Sequence, residues 1–456
     1  MRLAHRVRSR ARVILATCLA LLFLLAVLLP YDSAVRLSVR FNAGRAAARI
    51  WGAGPADAAA VVAALPAPRE LDLVEDVAVL LKSGYGTRRR IQPSLAALES
   101  GVGCRDVVVV ADFEPAPLGL RYEYRGADVP VRDILARVLL DAGLRWMAAT
   151  PRFRKYADMT AAVAAGRPEL AEELGKRVGW ELDALKFIPG LDLTYELLPS
   201  KKWYLILDDD TYVIRPSLRL LLEHLDPDVP QYIGNPVGDF KGRFAHGGSA
   251  VLISRAAMHR LFRQHPKAVA AAYREALTET WGDKLVATTL IKVGVYLDER
   301  YARLFNGEPP PLTRIRPDRF CAPLVGFHGL ADPAQMRNAT EVLKGIDDVV
   351  LWSDVWSIFG GPNISADAKE EPATRDADYV GRVDETTKVV KGVGEAEKCS
   401  ARCASDPKCL AWTWTSADSV CKMAPSMILG TKSEGGFSGI NAPRAQQLLG
   451  RCHKTA

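Results

Sequence analysis

The 456-residue chain has no internal repeat and, apart from residues 365–378, no low-complexity tract. A solenoid or a largely disordered protein is thereby excluded. Long apolar runs are nearly absent: the uncharged stretch 13–29 stands alone, which rules out a polytopic membrane protein. Cysteine is scarce, eight in all, and four of these fall between Cys399 and Cys421, so no disulfide framework extends over the whole chain. Charge of one sign does not dominate the body of the protein. The net charge is +7, but Arg2, Arg6, Arg8, Arg10 and Arg12 crowd into the leader before the apolar stretch. That basic cluster is a topology signal and not a nucleic-acid surface. What remains is 49% hydrophobic and 25% charged, enough for a sizeable core. The length suits two or three domains.

Seventeen helical residues in the stretch 13–29 span about 26 Å at ~1.5 Å each, slightly less than the ~30 Å hydrocarbon core. A thin secretory-pathway membrane and snorkelling arginines absorb the difference. Positive charge on the amino side predicts a cytoplasmic tail (1–12), a transmembrane signal anchor (13–30) and a lumenal remainder. The expectation is a single-pass type II Golgi membrane protein. A cleaved signal peptide, processed near Ser33-Ala34, is the alternative. Either route leads to an oxidising compartment, and the sequons Asn338-Ala339-Thr340 and Asn363-Ile364-Ser365 agree. The lumenal cysteines are Cys104, Cys321, Cys399, Cys403, Cys409, Cys421 and Cys452. Their odd number leaves at least one thiol free or paired between chains, as in a disulfide-linked dimer.

Residues 31–100 are rich in Ala, Arg and Leu, with helical spacing over 56–65 and 71–81, and are expected to form a partly helical stem without chemistry. Asp106-Val107-Val108-Val109-Val110-Ala111 is the first clear buried strand. Helical patterns follow at 131–142, 168–193 and 216–225, with strands at 203–207, 232–236 and 250–254. Strands alternating with helices predict an α/β domain over 101–360 with a largely parallel sheet. Residues 361–388 are expected to be a linker, since 365–378 are charged, small and almost without apolar anchors. A short cysteine-rich module occupies 389–456.

The chemistry concentrates where Trp203-Tyr204-Leu205-Ile206-Leu207 ends in Asp208-Asp209-Asp210. Adjacent carboxylates repel one another and are costly unless a cation or protons compensate. Ligands of open α/β sheets bind beyond the carboxyl ends of strands. A strand delivering acids to such a site suits a hard divalent cation, Mg²⁺ or Mn²⁺, bridging to phosphate oxygens. The alternative is an acidic turn after a core strand.

Five segments occur in order: Gly179-Trp180 with Asp183 and Lys186; Trp203 to Val213; Phe244-Ala245-His246-Gly247-Gly248-Ser249; Trp281-Gly282-Asp283; and Phe327-His328-Gly329. Together they resemble glycosyltransferase family 31, in particular its fungal branch and its core 1 galactosyltransferase and Fringe relatives, over about residues 100–355. The resemblance implies a GT-A fold, a Rossmann-like α/β sandwich. It also implies inverting transfer of a sugar, galactose, glucose or N-acetylglucosamine, from a UDP-sugar to a glycan hydroxyl. A β-1,3 bond and Mn²⁺ assistance belong to the same expectation.

By that resemblance, Asp208, Asp210 and His328 hold the metal, while Asp209 faces the ribose or orients its neighbours. Asp112 lies near the nucleotide base, with a strand-terminating turn as the alternative. Asp183 and Lys186 sit on a helix whose lysine reaches the donor phosphates, unless both are simply solvated. Gly247 and Gly248 allow close backbone approach or positive φ beside a sugar, or form a turn before the strand. Asp283 is the expected catalytic base that takes the acceptor hydroxyl's proton. A helix N-cap is its alternative, and the single acid here departs from the acidic pair of several family branches. Trp281, Trp352 and Trp356 could stack on sugar rings or pack in the core.

The C-terminal spacing Cys399-x3-Cys403-x5-Cys409-x11-Cys421 suits disulfides better than zinc in a lumenal compartment, and four cysteines allow three pairings. With Trp412 and Gly436-Phe437-Ser438-Gly439, the unit resembles a PAN/apple module, which implies Cys399–Cys421 and Cys403–Cys409 bridges and binding of protein or carbohydrate. Two other functions compete. A haloacid dehalogenase phosphatase also opens on a strand and Asp-x-Asp, but Tyr212 stands where that motif wants Thr or Val. A non-catalytic lumenal or cell-surface binding protein would instead use the PAN-like module alone.

Overall fold

The computed structural model describes residues 13, 14, 16–18, 20, 21, 28–51, 67–239, 242–361, 364 and 373–452. Among these, no helix is long and apolar enough to cross a membrane. Much of the expected span falls outside the described residues, as do the helical spacing at 56–65 and the sequon asparagine 363.

The first domain is built on a six-stranded mixed sheet: β1 (Val77–Lys82), β2 (Asp106–Ala111), β3 (Val131–Asp133), β4 (Trp203–Asp208), β5 (Tyr232–Gly234) and β6 (Val251–Ser254). Their order is β3-β2-β1-β4-β6-β5. The first four are parallel to one another, and β6 runs antiparallel to both β4 and β5. The expected α/β class is therefore found, with one reversed strand. Helices α1 (Ile91–Gly101), α2 (Pro168–Asp183), α3 (Phe187–Leu197) and α4 (Gly282–Lys292) pack around this sheet. The α3 helix lies close to it: a Cβ on Gly190 would sit 3.2 Å from a methyl of Leu80.

Strand β1 lies within the segment expected to be a stem. Within 71–81 the helix amounts to one turn, Leu73–Asp76, with Asp72 as N-cap. All six residues of β1 are buried between β2 and β4. A strand covered on both faces shows a continuous apolar run, and such a run cannot be separated from a helix by periodicity. The register then matters for chemistry. Lys82 is opposite Asp208, so the carboxyl ends of β1 and β4 meet, and Asp112 follows β2 directly. Burial of Leu205, Ile206 and Leu207 contributes about 1.5–3 kcal/mol per side chain, which anchors the strand end that carries the acids.

The second domain is a five-stranded antiparallel sheet with one helix against it. Its elements are β7 (Thr374–Asp378), β8 (Lys388–Val390), α5 (Ala396–Ser405), β9 (Ala411–Thr415), β10 (Val420–Ala424) and β11 (Thr431–Ile440), in the order β7-β11-β9-β10-β8. Strand β7 falls inside the stretch expected to be a linker, whereas β8 begins only at its last residue. The poor apolar content of β7 reflects its edge position, where one side of a strand needs no partner.

Disulfides join Cys399 to Cys421 and Cys403 to Cys409, the pairing the resemblance implied. A third, Cys321–Cys452, was not foreseen and ties the first domain to the segment after the last helix, α6 (Ala442–Leu449). The odd thiol is Cys104, which is fully buried beside Tyr124, and burial pushes it up to about 12. A buried, protonated thiol cannot reach a second chain, so the structure offers no support for a disulfide-linked dimer through it.

Candidate functional site

At the carboxyl edge of the sheet, β4 ends in Asp208 and the chain turns through Asp209 and Asp210. The short strand Tyr212–Val213 follows and pairs antiparallel with Gly326–Phe327. That pairing delivers His328 to the acids from more than a hundred residues away. Asp208, Asp210 and His328 can each present one ligand atom, all within 4.8 Å of one another. His328 Nε2 lies 3.3 Å from Asp210 Oδ1. Its Nδ1 lies 3.3 Å from the Gly307 carbonyl, which can only accept, so Nδ1 carries a proton and Nε2 is turned toward the acids. Burial works to lower the His328 pKa, but the hydrogen bond and charge of Asp210 outweigh it and raise it. Asp210 is correspondingly held low despite its burial. Two carboxylates and an imidazole are a fitting donor set for Mn²⁺. Space is tight: a Cβ on Gly248 would lie 2.1 Å from His328 Nε2. Close approach, not positive φ, is therefore what requires glycine at Gly248. Ala250, two residues on, has the left-handed φ of 70°.

Two cations that the sequence reading missed balance the acids. Lys82 Nζ sits 2.7 Å from Asp208 and 3.1 Å from Asp183, and lies 3.4 Å over the Phe187 ring. Burial alone would lower its pKa, but Asp183 and Asp208 raise it above the ordinary lysine value, so the ammonium persists. Arg90 approaches Asp209 at 3.4 Å and Asp210 at 3.5 Å. A lysine closing a fully apolar strand was the available signal for Lys82, since such a charge must find a partner. Reading 71–81 as helix concealed it.

Asp209 turns away from this cluster. It accepts from Ser83 Oγ at 2.6 Å, while its carbonyl takes a short bond from Ser94 Oγ. Burial, with the charge of Asp210, pushes its carboxyl up to about 6. Of its two expected roles, orienting neighbours is the one this geometry serves. Asp112 and Lys186 form a buried ion pair at 2.7 Å. Asp112 also accepts from the Tyr85 N–H at 2.7 Å, and Lys186 donates to the Ser83 carbonyl at 2.7 Å. Lys186 therefore does not extend toward donor phosphates as expected. A buried carboxylate demands a counter-ion, and the lysine supplies it while bracing the Ser83 loop. Asp183 shares the Lys82 ammonium and keeps about a third of its side chain exposed.

Asp283 lies in the first turn of α4. The N-cap is Trp281, so the capping alternative for Asp283 falls. Its Oδ2 accepts from Gly247 N–H at 2.9 Å and its Oδ1 from Lys284 N–H at 2.8 Å. Burial pushes this carboxyl above its ordinary value, against the two backbone donors. Its partner Gly247 adjoins Gly248, which packs against His328, so the carboxyl lies near the acid cluster. Gly247 packs here too: a Cβ would meet Phe187 at 3.1 Å and Asp283 at 3.3 Å. His246 directly precedes Gly247. Its Nδ1 is 2.9 Å from Ser249 Oγ and its ring 5.0 Å from His328, and burial holds its pKa below the ordinary value. Trp352 and Trp356 are buried core residues, whereas Trp281 is exposed against Phe244.

Residues 191–289 match the family model for Fringe-like proteins, and residues 373–429 match that for the PAN domain. The first match runs from α3 into α4 and takes in Asp208–Asp210, Gly247, Gly248 and Asp283, but not β1 or His328. The second begins at β7, sixteen residues before the boundary expected at 389, and includes both disulfides of the module. A Fringe-like domain of the glycosyltransferase family 31 type, followed by a PAN domain, is what this chain carries.

Proposed function

We propose that the protein is a metal-dependent inverting glycosyltransferase that moves a hexosyl or N-acetylhexosaminyl group from a UDP-sugar to a glycan hydroxyl, forming a β-1,3 bond. The observation that carries this reading is the meeting of Asp208, Asp210 and His328 at the carboxyl edge of the sheet, with Asp283 bonded to Gly247 next to the glycine that packs on His328. Asp208, Asp210 and His328 would hold Mn²⁺, which when bound offsets the charge developing on the departing diphosphate.

The protein's own groups supply the rest. Lys82 fixes Asp208 in place. Arg90, partly exposed above Asp210, adds positive charge on the donor side. Asp283, with its raised pKa, is suited to take the proton from the acceptor hydroxyl as that oxygen attacks the anomeric carbon. The sugar–phosphate bond breaks on the opposite face, its electron pair leaves with the diphosphate, and the anomeric centre inverts. Exposed Trp281, two residues before Asp283, offers an aromatic face to the acceptor sugar. The basic leader and the apolar stretch 13–29 support anchoring as a type II Golgi protein with this site in the lumen.

Calorimetric titration with a panel of nucleotide-sugars, with and without Mn²⁺, tests the reading. Mn²⁺-dependent binding of at least one UDP-sugar is expected, and Asp210→Ala should abolish it. Absence of Mn²⁺-dependent binding across the panel would reject the proposal.

A further inference from the structure

His328 stands at the end of a long excursion. From the buried Phe305 the chain makes a loop over residues 306–325, burying Ile315, Phe320 and Leu324 on the way, and returns as the strand Gly326–Phe327, directly before His328. This run is gripped by the PAN domain. Ile315 and Met427 exchange both backbone hydrogen bonds, at 2.9 and 3.0 Å. The Gly430 N–H donates to the Pro311 carbonyl at 3.3 Å. Arg314 donates to Asp384 Oδ2 and to the Arg382 carbonyl, each at 2.6 Å. Farther along, Cys321 is bonded to Cys452.

The inner side of the same excursion reaches His328. Asn306 Nδ2 donates to the Glu308 carbonyl and to Thr313 Oγ1, each at 2.8 Å, and Thr313 Oγ1 donates to the Pro309 carbonyl at 3.0 Å. These bonds make 306–313 one compact loop. Its Glu308 carbonyl accepts the His328 backbone N–H at 3.3 Å, and its Gly307 carbonyl faces His328 Nδ1 at 3.3 Å. A metal-ligating histidine is oriented by the acceptor on its second nitrogen, and loss of such a partner typically weakens metal affinity about 10- to 100-fold.

We propose that the PAN domain is a positioning element of the metal site: by gripping residues 311–316 it sets the Gly307 and Glu308 carbonyls that aim His328. The proposal rests on the reading of His328 as a metal ligand. It differs from the role expected of a separate ligand-binding appendage, because the two domains also share one apolar core, in which Tyr379 meets Trp356 edge to face at 5.3 Å.

The test is Mn²⁺ titration of the full-length protein followed by EPR in the presence of UDP. Arg314→Ala and Asp384→Asn, both outside the site, should each weaken Mn²⁺ binding about tenfold. Arg314→Lys, which retains the charge, should recover part of the loss. Lys388→Ala removes an ion pair with Asp406 within the PAN domain, away from the excursion, and should leave Mn²⁺ affinity unchanged. If His328→Ala weakens Mn²⁺ binding while Arg314→Ala and Asp384→Asn do not, the positioning role is overturned. If His328→Ala itself leaves the affinity unchanged, the metal-site reading beneath it fails as well.

Discussion

The Fringe-like domain keeps Cys104 as a buried thiol and, among the described residues, closes no disulfide within itself, whereas the PAN domain closes two within its α5–β10 unit. The larger domain can afford buried charge: the Lys186–Asp112 pair and the Lys82 ammonium lie within it, surrounded by a core that spans the sheet and its helices. The PAN domain's own apolar cluster consists of nine buried residues, four of them its bridged cysteines. A small core is marginal and needs staples, while a large one can hold unfavourable groups where chemistry requires them. Reactive polar groups therefore sit in the first domain, and covalent reinforcement sits in the second.

Breaking the charge side of this contrast should give the largest effects. Asp283→Asn is expected to leave Mn²⁺-dependent donor binding intact while lowering transfer by about 10²- to 10⁴-fold, the usual contribution of a positioned base. Wild-type transfer in that variant would exclude Asp283 as the base. Lys82→Met strands Asp208 and Asp183 without their cation. Destabilisation of about 3 kcal/mol is expected, the low end for a broken buried pair because both acids are partly exposed. Denaturant unfolding followed by tryptophan fluorescence measures it.

Breaking the covalent side should act locally. The Cys399→Ser/Cys421→Ser double variant opens a bridge of sequence separation 22, for which the loop-closure estimate is about 3 kcal/mol. Hydrogen exchange should rise in β9 and β10 and stay unchanged in β1 and β4. Uniform exchange across both domains would instead show that they unfold as one unit. The smallest effect concerns pH. Because burial raises the Asp283 pKa, the proposed base is protonated, and transfer lost, as pH falls through a value above that of an ordinary aspartate. The acid limb of kcat against pH should therefore lie higher than for an exposed aspartate, and Asp283→Asn should remove that limb.

Part of this organisation was legible without coordinates because it is local. The apolar run before Asp208 marks a buried strand, and its abrupt end marks a site, since three consecutive acids cannot be neutral to packing. Other features were misread for equally physical reasons. Strand β1 resembles a helix because burial on both faces removes alternation, and with it went Lys82, Ser83 and Arg90. Lys186 was assigned to a ligand because sequence shows its charge but not the buried Asp112 that claims it. Strand β7 reads as linker because an edge strand needs few apolar side chains.

The sequence by itself determined the acids at the end of β4, the cysteine cluster of the C-terminal module and the alternation of strands and helices, since each depends on residues close together in the chain. Tertiary structure alone decided which cation balances Asp208, which way His328 points, and that Cys321 joins Cys452. Lys82 and Asp208, Asp210 and His328, and Cys321 and Cys452 each lie more than a hundred residues apart, and such contacts leave no periodicity or spacing to read. Their geometry is set by sheet register and by packing between domains, which exist only once the chain has folded.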